Sequence, residues 1–284
     1  MLIRDDKGDE EMKKTIFVTG ASSGLGKATA ELFLQKGWNV VAALRNPSKG
    51  NYFKNHKNGL VVELDVTNSI LAKEAVAKAV DKLGQIDVLF NAAGYGAVFL
   101  FEDNSEEYFK KQMDTNFYGT VNTTRAVMPF MRKQRSGHII NVTSVAGKAG
   151  IPFQTGYVAS KHAVSGFTNS LAYEVKEFGI KASIFEVGGM NTGFVKAMDN
   201  ATEVVIDDYK DFFVRVNKKL GPATENAYKN APTPDIIAKK VLELVEMKKP
   251  PVFFRPTRDS KIMEFLRRVL PTNQFRKVTS MGLD

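Results

Sequence analysis

The chain has 284 residues, 43% hydrophobic and 25% charged, with a formal net charge of +9 and no cysteine. That length supports a sizeable core, and the composition is that of an ordinary globular protein. It excludes a disordered chain, and no apolar run approaches the roughly 18 residues of a spanning helix. Disulfide and thiolate chemistry are excluded as well, and the charged start "MLIRDDKGDEEMKK", where a secretory signal would be apolar, makes a cytoplasmic location the expectation.

Residues 1–11 are mostly polar and lack periodicity, so a disordered leader is expected before "MKKTIFVTG". From residue 12 to 284 the pattern predicts one domain. Short apolar, β-branched runs at 15–19, 39–44, 60–64, 86–90, 138–143, 181–187 and 251–254 alternate with segments whose apolar residues recur at three- and four-residue spacing. Near-continuous apolar strands interleaved with helices predict an α/β, doubly wound (Rossmann) fold: a seven-stranded parallel sheet with helices on both faces.

The first run leads straight into "TGASSGLG", residues 19–26, and then into a helical pattern. Gly20, Gly24 and Gly26 allow a tight turn and close approach of backbone to a pyrophosphate, with Ser22, Ser23 and Leu25 completing the loop and the helix start supplying free N–H groups. The spacing is G-x-x-x-G-x-G, not the G-x-G-x-x-G of the usual dinucleotide fingerprint. The second run ends "AALRNP". An acid there would accept from a ribose 2′-hydroxyl, whereas Arg45 suits a 2′-phosphate, so NADP(H) is expected in preference to NAD(H).

Farther on, "YVASK" places Tyr157 and Lys161 four residues apart on one helix face. Bringing a phenol of pKa about 10 toward neutrality takes about 4 kcal/mol. An ammonium about 4 Å away at an effective dielectric of about 20 supplies about that much before desolvation is subtracted. The stretch 190–232 has weak periodicity between two well-marked elements and is expected to be a mobile lid over the substrate. A helix is predicted to start at Thr233 and Pro234, and a basic amphipathic extension to occupy 256–284. From Lys248 onward nine Lys/Arg face three Asp/Glu, so +6 of the +9 lies in the last 37 residues. The three histidines are scattered, and no metal-ligand spacing is present.

Five features in order, "TGASSGLG", "NAAG" at 91–94, Asn116 in "MDTNFYGT", Ser144 thirteen residues before Tyr157, and Tyr157-x-x-x-Lys161, resemble the short-chain dehydrogenase/reductase superfamily over roughly residues 13–255. The resemblance implies that Tyr157 is the general acid or base, that Ser144 orients the carbonyl oxygen, and that Lys161 lowers the tyrosine pKa and holds the nicotinamide ribose. Asn116 would hold a water in a proton relay. It also implies cofactor contacts from Asp65, Val66, Asn91, Ala92, Gly94, Gly188 and Thr192, with Arg45 and Ser22 at the 2′-phosphate. Family members usually carry Pro-Gly where this chain has Val187-Gly188.

The same resemblance leans toward hydroxysteroid- and retinol-type dehydrogenases and carbonyl reductases, and implies a homodimer or homotetramer built on the helices of Asn116 and Tyr157. The substrate pocket is expected from Ser144, Ala146, Phe153, Gln154, Met190 and Phe194, with Tyr95, Phe212 and Phe213 as further candidates. Most are apolar, which suggests a hydrophobic ketone, aldehyde or secondary alcohol. The basic tail is expected to pack over the cleft or against another subunit, with a peripheral membrane contact as the lesser use and no nucleic-acid role. The competing reading is a cofactor-binding regulator on the same fold, and the joint presence of Ser144, Tyr157 and Lys161 favours the enzyme.

Overall fold

The computed structural model describes residues 13–53, 56–192, 199–200 and 206–280. The expected leader at 1–11 therefore lies outside the described residues. Nine strands are present among them: β1 (Thr15–Thr19), β2 (Asn39–Leu44), β3 (Gly59–Glu63), β4 (Val88–Asn91), β5 (Ala97–Val98), β6 (Gly137–Ser144), β7 (Ile180–Val187), β8 (Asp199–Asn200) and β9 (Phe253–Phe254). Seven of them form one parallel sheet in the order β3-β2-β1-β4-β6-β7-β9, as the alternating apolar runs predict. The remaining two, β5 and β8, pair with each other.

Side chains alternate across the sheet and fill two cores. Ile16, Val18, Val40 and Phe90 point to one face and meet Leu25 and Phe33 of α1 (Gly24–Gln35). Phe17, Val41, Val62 and Leu89 point to the other and meet Val76 of α2 (Ser69–Leu83). Each such buried Phe or Val contributes roughly 1.5–3 kcal/mol of transfer free energy. The second face is completed by α4 (Gly119–Gln134) and α5 (Thr155–Lys176), which follow α3 (Glu106–Met113). The first is completed by α7 (Pro234–Glu246), through Ile237 and Val241, which comes after α6 (Lys210–Lys229). As predicted, α7 opens with Thr233 at the N-cap and Pro234 in the first turn.

Strand order reverses between β1 and β4, which is where such sheets hold ligands at their carboxyl ends. Register brings the ends together: Thr19 lies opposite Ala43 and Asn91, and Ser144 opposite Val187. The loop residues of the candidate site all leave this one edge of the sheet.

One segment differs from the sequence expectation. The stretch 190–232, read as irregular, contains the 20-residue helix α6. Gly221 and Pro222 within it are loop signals in sequence, yet Phe212, Phe213, Val216 and Leu220 share a stripe that packs on Leu100 and Phe153, and this small core outweighs the breakers. The C-terminal extension forms two helices, α8 (Arg258–Val269) and α9 (Thr272–Thr279). An ion-pair cluster fixes α8 to the sheet. Buried Glu186 of β7 lies 3.4 Å from Lys148 and 3.5 Å from Arg255, while Glu264 of α8 pairs with Lys148, with Arg255 at 3.0 Å and with Arg268 at 2.7 Å. Such a cluster sets position more than it adds stability, because burying its charges costs about what their attraction returns.

Candidate active site

The glycine-rich turn has the geometry of a phosphate cradle. Gly20 has φ +68 and Gly24 φ +52, left-handed conformations that side chains rarely adopt. A Cβ on Gly20 would stand 2.9 Å from the Ala93 backbone, and one on Gly26 would overlap the Gly20 carbonyl oxygen. The loop is thus drawn tight against β4, and around Gly24 a Cβ meets nothing within 4 Å, so the turn stays open on its outer side. Ser23 caps α1 without a side-chain bond to the helix N–H groups, and Leu25 and Gly26 are buried beneath. These residues fit an anionic diphosphate. Tyr52, which the sequence reading did not single out, donates its hydroxyl to the Ala21 carbonyl and braces the turn from the segment after β2.

Close to this turn are Asn116, Ser144, Tyr157 and Lys161, the four residues expected to carry the chemistry. Ser144 ends β6, and its Oγ accepts from the Ala146 N–H at 3.2 Å. Its hydroxyl is also the hydrogen-bond partner of the Tyr157 phenol, an interaction that favours the phenolate. Tyr157 and Lys161 lie on one face of α5, both buried, with the Lys161 Nζ 5.7 Å from the tyrosine ring centre. That Nζ donates to the Val142 carbonyl at 3.1 Å and stands 3.6 Å from where a Cβ on Gly94 would be.

The electrostatics differ from the sequence expectation. Desolvation dominates at both groups: burial pushes the Tyr157 phenol up to about 12 and the Lys161 ammonium down to about 8. Lys161 does not, in this arrangement, draw the phenol toward neutrality. At physiological pH the Tyr157 phenol is therefore neutral.

Asn116 sits in a π-helical turn, Asp114–Tyr118, between α3 and α4. Its side chain is committed: Nδ2 donates to the Tyr95 carbonyl at 2.9 Å and to Ser160 Oγ at 3.0 Å, and Oδ1 accepts from the Tyr95 N–H at 3.0 Å. Asn116 is expected to hold a relay water, and its side chain clamps the segment after β4 against α5. The Asn116 carbonyl accepts from Thr120 Oγ1 at 3.0 Å.

Among the residues expected to face an adenosine, Arg45 is exposed at the end of β2 and Ser22 is half-buried in the turn. Asp65 Oδ1 accepts from the Thr67 N–H at 2.9 Å and the Thr67 hydroxyl at 2.8 Å, while Val66 is buried. The Asn91 side chain faces inward, donating to Asn141 Oδ1 at 2.9 Å and accepting from Thr123 Oγ1 at 2.7 Å, so only its backbone reaches the edge with Ala92 and Gly94. Ala92 and Ala93 N–H groups both bond Thr19 Oγ1 at 3.1 Å.

Past β7, the Val187-Gly188 turn has its own support. The Gly188 N–H donates to Thr257 Oγ1 at 3.0 Å and the Gly189 N–H to Asp259 Oδ2 at 2.6 Å, and a Cβ on Gly188 would collide with the Asp259 carboxylate. Thr192 is half-buried at the end of this stretch, and Phe194 lies outside the described residues. Among the other pocket candidates, Ala146 is buried beside Ser144, Gln154 is half-buried at the start of α5, and Met190 packs on the sheet core. Phe153, at φ +62, packs edge-on to Phe212 and at a tilt to Phe213, with ring centres 5.5 and 5.1 Å away, forming the core of the α6 unit. A residue the sequence reading missed is Tyr228 of α6, half-buried and close enough to Tyr157 that its ionised form would raise that phenol further. No motif marks it, because it reaches the site only through the fold of α6.

With this geometry in view, the comparisons with known proteins are unambiguous about class. The sequence profile of the family described as short chain dehydrogenase matches residues 14–203. A 3-ketodihydrosphingosine reductase of Bacteroides thetaiotaomicron is 40% identical over 238 residues, 83% of this chain and 85% of that protein. A short-chain dehydrogenase from Streptomyces avermitilis superposes with a TM-score of 0.79 at 27% identity, covering 97% of this chain and 100% of the other. The closed form of serine dehydrogenase complexed with NADP+ gives a TM-score of 0.72 at 26% identity, covering 85% and 93%. The chain belongs to the short-chain dehydrogenase/reductase family and is an oxidoreductase of that family.

Proposed function

We propose that the protein is an NADP(H)-dependent reductase of a ketone carried on an apolar chain, working in reverse as a secondary-alcohol dehydrogenase. The observation that supports this most directly is the meeting of Ser144, Tyr157 and Lys161 beside the glycine-rich turn, with the phenol held protonated by burial. The name of the Bacteroides relative supports a long-chain keto substrate. The turn Gly20–Gly26 and the α1 N-terminus would hold the diphosphate, Lys161 the ribose, and Gly188 to Thr192 the carboxamide end. The cofactor, when bound, supplies the hydride. Ser144 donates to the carbonyl oxygen and fixes it beside Tyr157, whose phenol gives up its proton as charge develops on that oxygen. The Tyr157 phenolate left behind would regain its proton from a water held at Asn116, by way of Lys161. The side chains around the ketone are Ala146, Gln154, Met190 and Tyr228, with Phe153 and the α6 core closing the site against water.

A panel of apolar ketones mixed with the protein and NADPH tests this reading, followed by loss of absorbance of the reduced nicotinamide. Oxidation that rises with chain length of the ketone is the expected result, and no oxidation with any apolar ketone, or equal rates for small polar ones, would count against it. Arg45 gives a second test. Opposite a 2′-phosphate it forms a charge-assisted contact of about 1.5–3 kcal/mol, so Arg45→Asp is expected to lower the ratio of kcat/KM for NADPH over NADH by roughly 10- to 100-fold. An unchanged ratio would remove Arg45 from cofactor choice.

The pH dependence follows from Lys161. Its ammonium, lowered by burial to about 8, is present below that pH and lost above it. Ketone reduction is therefore expected to hold level from pH 6 to 7.5 and to fall as pH rises through about 8, since Tyr157 at about 12 stays protonated throughout. A rate that stays flat to pH 10 would contradict a working role for the charge on Lys161.

A further inference from the structure

The C-terminal helices present a surface that the reductase reading does not use. On α8, Ile262, Phe265 and Val269 are 47%, 63% and 54% exposed. They stand three and four residues apart and so form one stripe along the helix. The opposite side of α8, through Met263, Glu264 and Leu266, is half-buried against the protein. At the sheet edge Phe253 of β9, itself 38% exposed, extends the stripe across a groove of about 450 Å³ that Phe265 also lines. Apolar side chains are thus turned outward where a helix serving only the fold would carry polar ones.

The charges around the stripe identify what it fits. Arg258 lies one turn before Ile262, Lys261 one turn before Phe265, and Arg268 one turn after, all exposed. Asp259 bonds the Gly189 N–H, and Glu264 is shared between Lys148 and Arg255 on the domain side and Arg268 of the stripe's edge, which leaves Arg258 and Lys261 as the cations no acid of the helix holds. An apolar stripe edged by cations on a helix lying flat against its domain is the pattern of insertion into an anionic lipid interface, with apolar groups below the headgroups and cations at their level. The same helix begins at the substrate side of the sheet, since Thr257 and Asp259 hold the turn at Gly188 and Gly189.

We propose that α8, with the exposed edge at Phe253, docks the protein on an anionic membrane surface, placing the mouth of the site against the lipid. Among the described residues no helix is long and apolar enough to cross a membrane, so the contact is peripheral. The docking surface goes beyond the proposed reaction and is tested without it.

The test is sedimentation of the full chain with vesicles of phosphatidylcholine and phosphatidylglycerol in equal parts, against vesicles of phosphatidylcholine alone. The variants are Phe265→Glu and the pair Arg258→Glu/Lys261→Glu, whose exposed positions leave folding intact; unchanged thermal midpoints verify that. The wild type is expected to partition onto the mixed vesicles at least about tenfold more than onto phosphatidylcholine, and each variant to lose about tenfold of that binding. Wild-type protein that remains in the supernatant, equal binding to both vesicle types, or undiminished binding by Phe265→Glu would each overturn the proposal. So would a wild type that ignores vesicles while Phe265→Glu lowers its mass by light scattering, for the stripe would then meet a second copy. Vesicle binding that persists in a preparation inactive on every ketone would sustain the surface and fail the reductase reading alone.

Discussion

Tyr157→Phe is expected to lower the kcat of ketone reduction by about 10³-fold while leaving the Kd for NADPH within about twofold. The substitution removes one oxygen from a buried helix face and keeps the ring, so packing around α5 is unchanged. What is lost is the proton donor beside Ser144. Water is an inadequate replacement, because burial that pushes the phenol to about 12 also keeps bulk solvent from the reacting oxygen. Ser144 remains to polarise the carbonyl, which is why the loss is not total. Steady-state NADPH oxidation together with a cofactor titration measures both quantities. A variant that retains a tenth of the wild-type rate would take Tyr157 out of the chemistry, and one that no longer binds NADPH would make the rate uninformative about proton transfer.

The second large effect belongs to Gly26→Ala. Its methyl group would overlap the Gly20 carbonyl oxygen, lie 2.8 Å from the Gly20 carbonyl carbon and 3.1 Å from the Thr19 oxygen, all backbone atoms that a rotamer change does not relieve. The turn has to open, moving its N–H groups and the α1 N-terminus away from the diphosphate. Overpacking of this kind costs roughly 1–3 kcal/mol, and when it falls on the cradle the expected weakening of NADPH binding is about 50-fold. Titration by nicotinamide fluorescence reads it directly. Substitution at Gly24, where a Cβ meets nothing, is expected to act through its φ of +52 alone and to weaken binding less. Equal Kd values for wild type and Gly26→Ala would show that the turn is structural and that the diphosphate lies elsewhere.

Much of the fold is legible in the residues because its strands are buried on both faces. The runs at 15–19 and 39–44 coincide with β1 and β2 to the residue, whereas the run at 251–254 shortens to Phe253–Phe254 at the sheet edge, where pairing exists on one side only. The α6 helix was hidden because its apolar stripe packs on Phe153, a partner far away in sequence, while Gly221 and Pro222 advertised a break. At the site, spacing along one helix was enough to bring Tyr157 and Lys161 together. It was not enough to give their electrostatics, since desolvation depends on everything packed around α5. The clamp that Asn116 makes on Tyr95 depends on a π-helical turn without a sequence signature, and Tyr228 and Asp259 arrive at the cleft from elements whose placement only the tertiary structure defines.

In the proposed reaction this chain moves a hydride from a reduced nicotinamide to a carbonyl carbon, with Tyr157 supplying the proton. The most direct measurement is a single-turnover reaction of the wild type with NADPH deuterated at the C4 position and a long-chain ketone, followed by mass analysis of the alcohol. One deuterium retained on the carbinol carbon, and its absence from the product of Tyr157→Phe over the same interval, is the predicted result. Alcohol formed without deuterium from either face of the labelled cofactor, or labelled alcohol formed equally fast by Tyr157→Phe, would contradict the account.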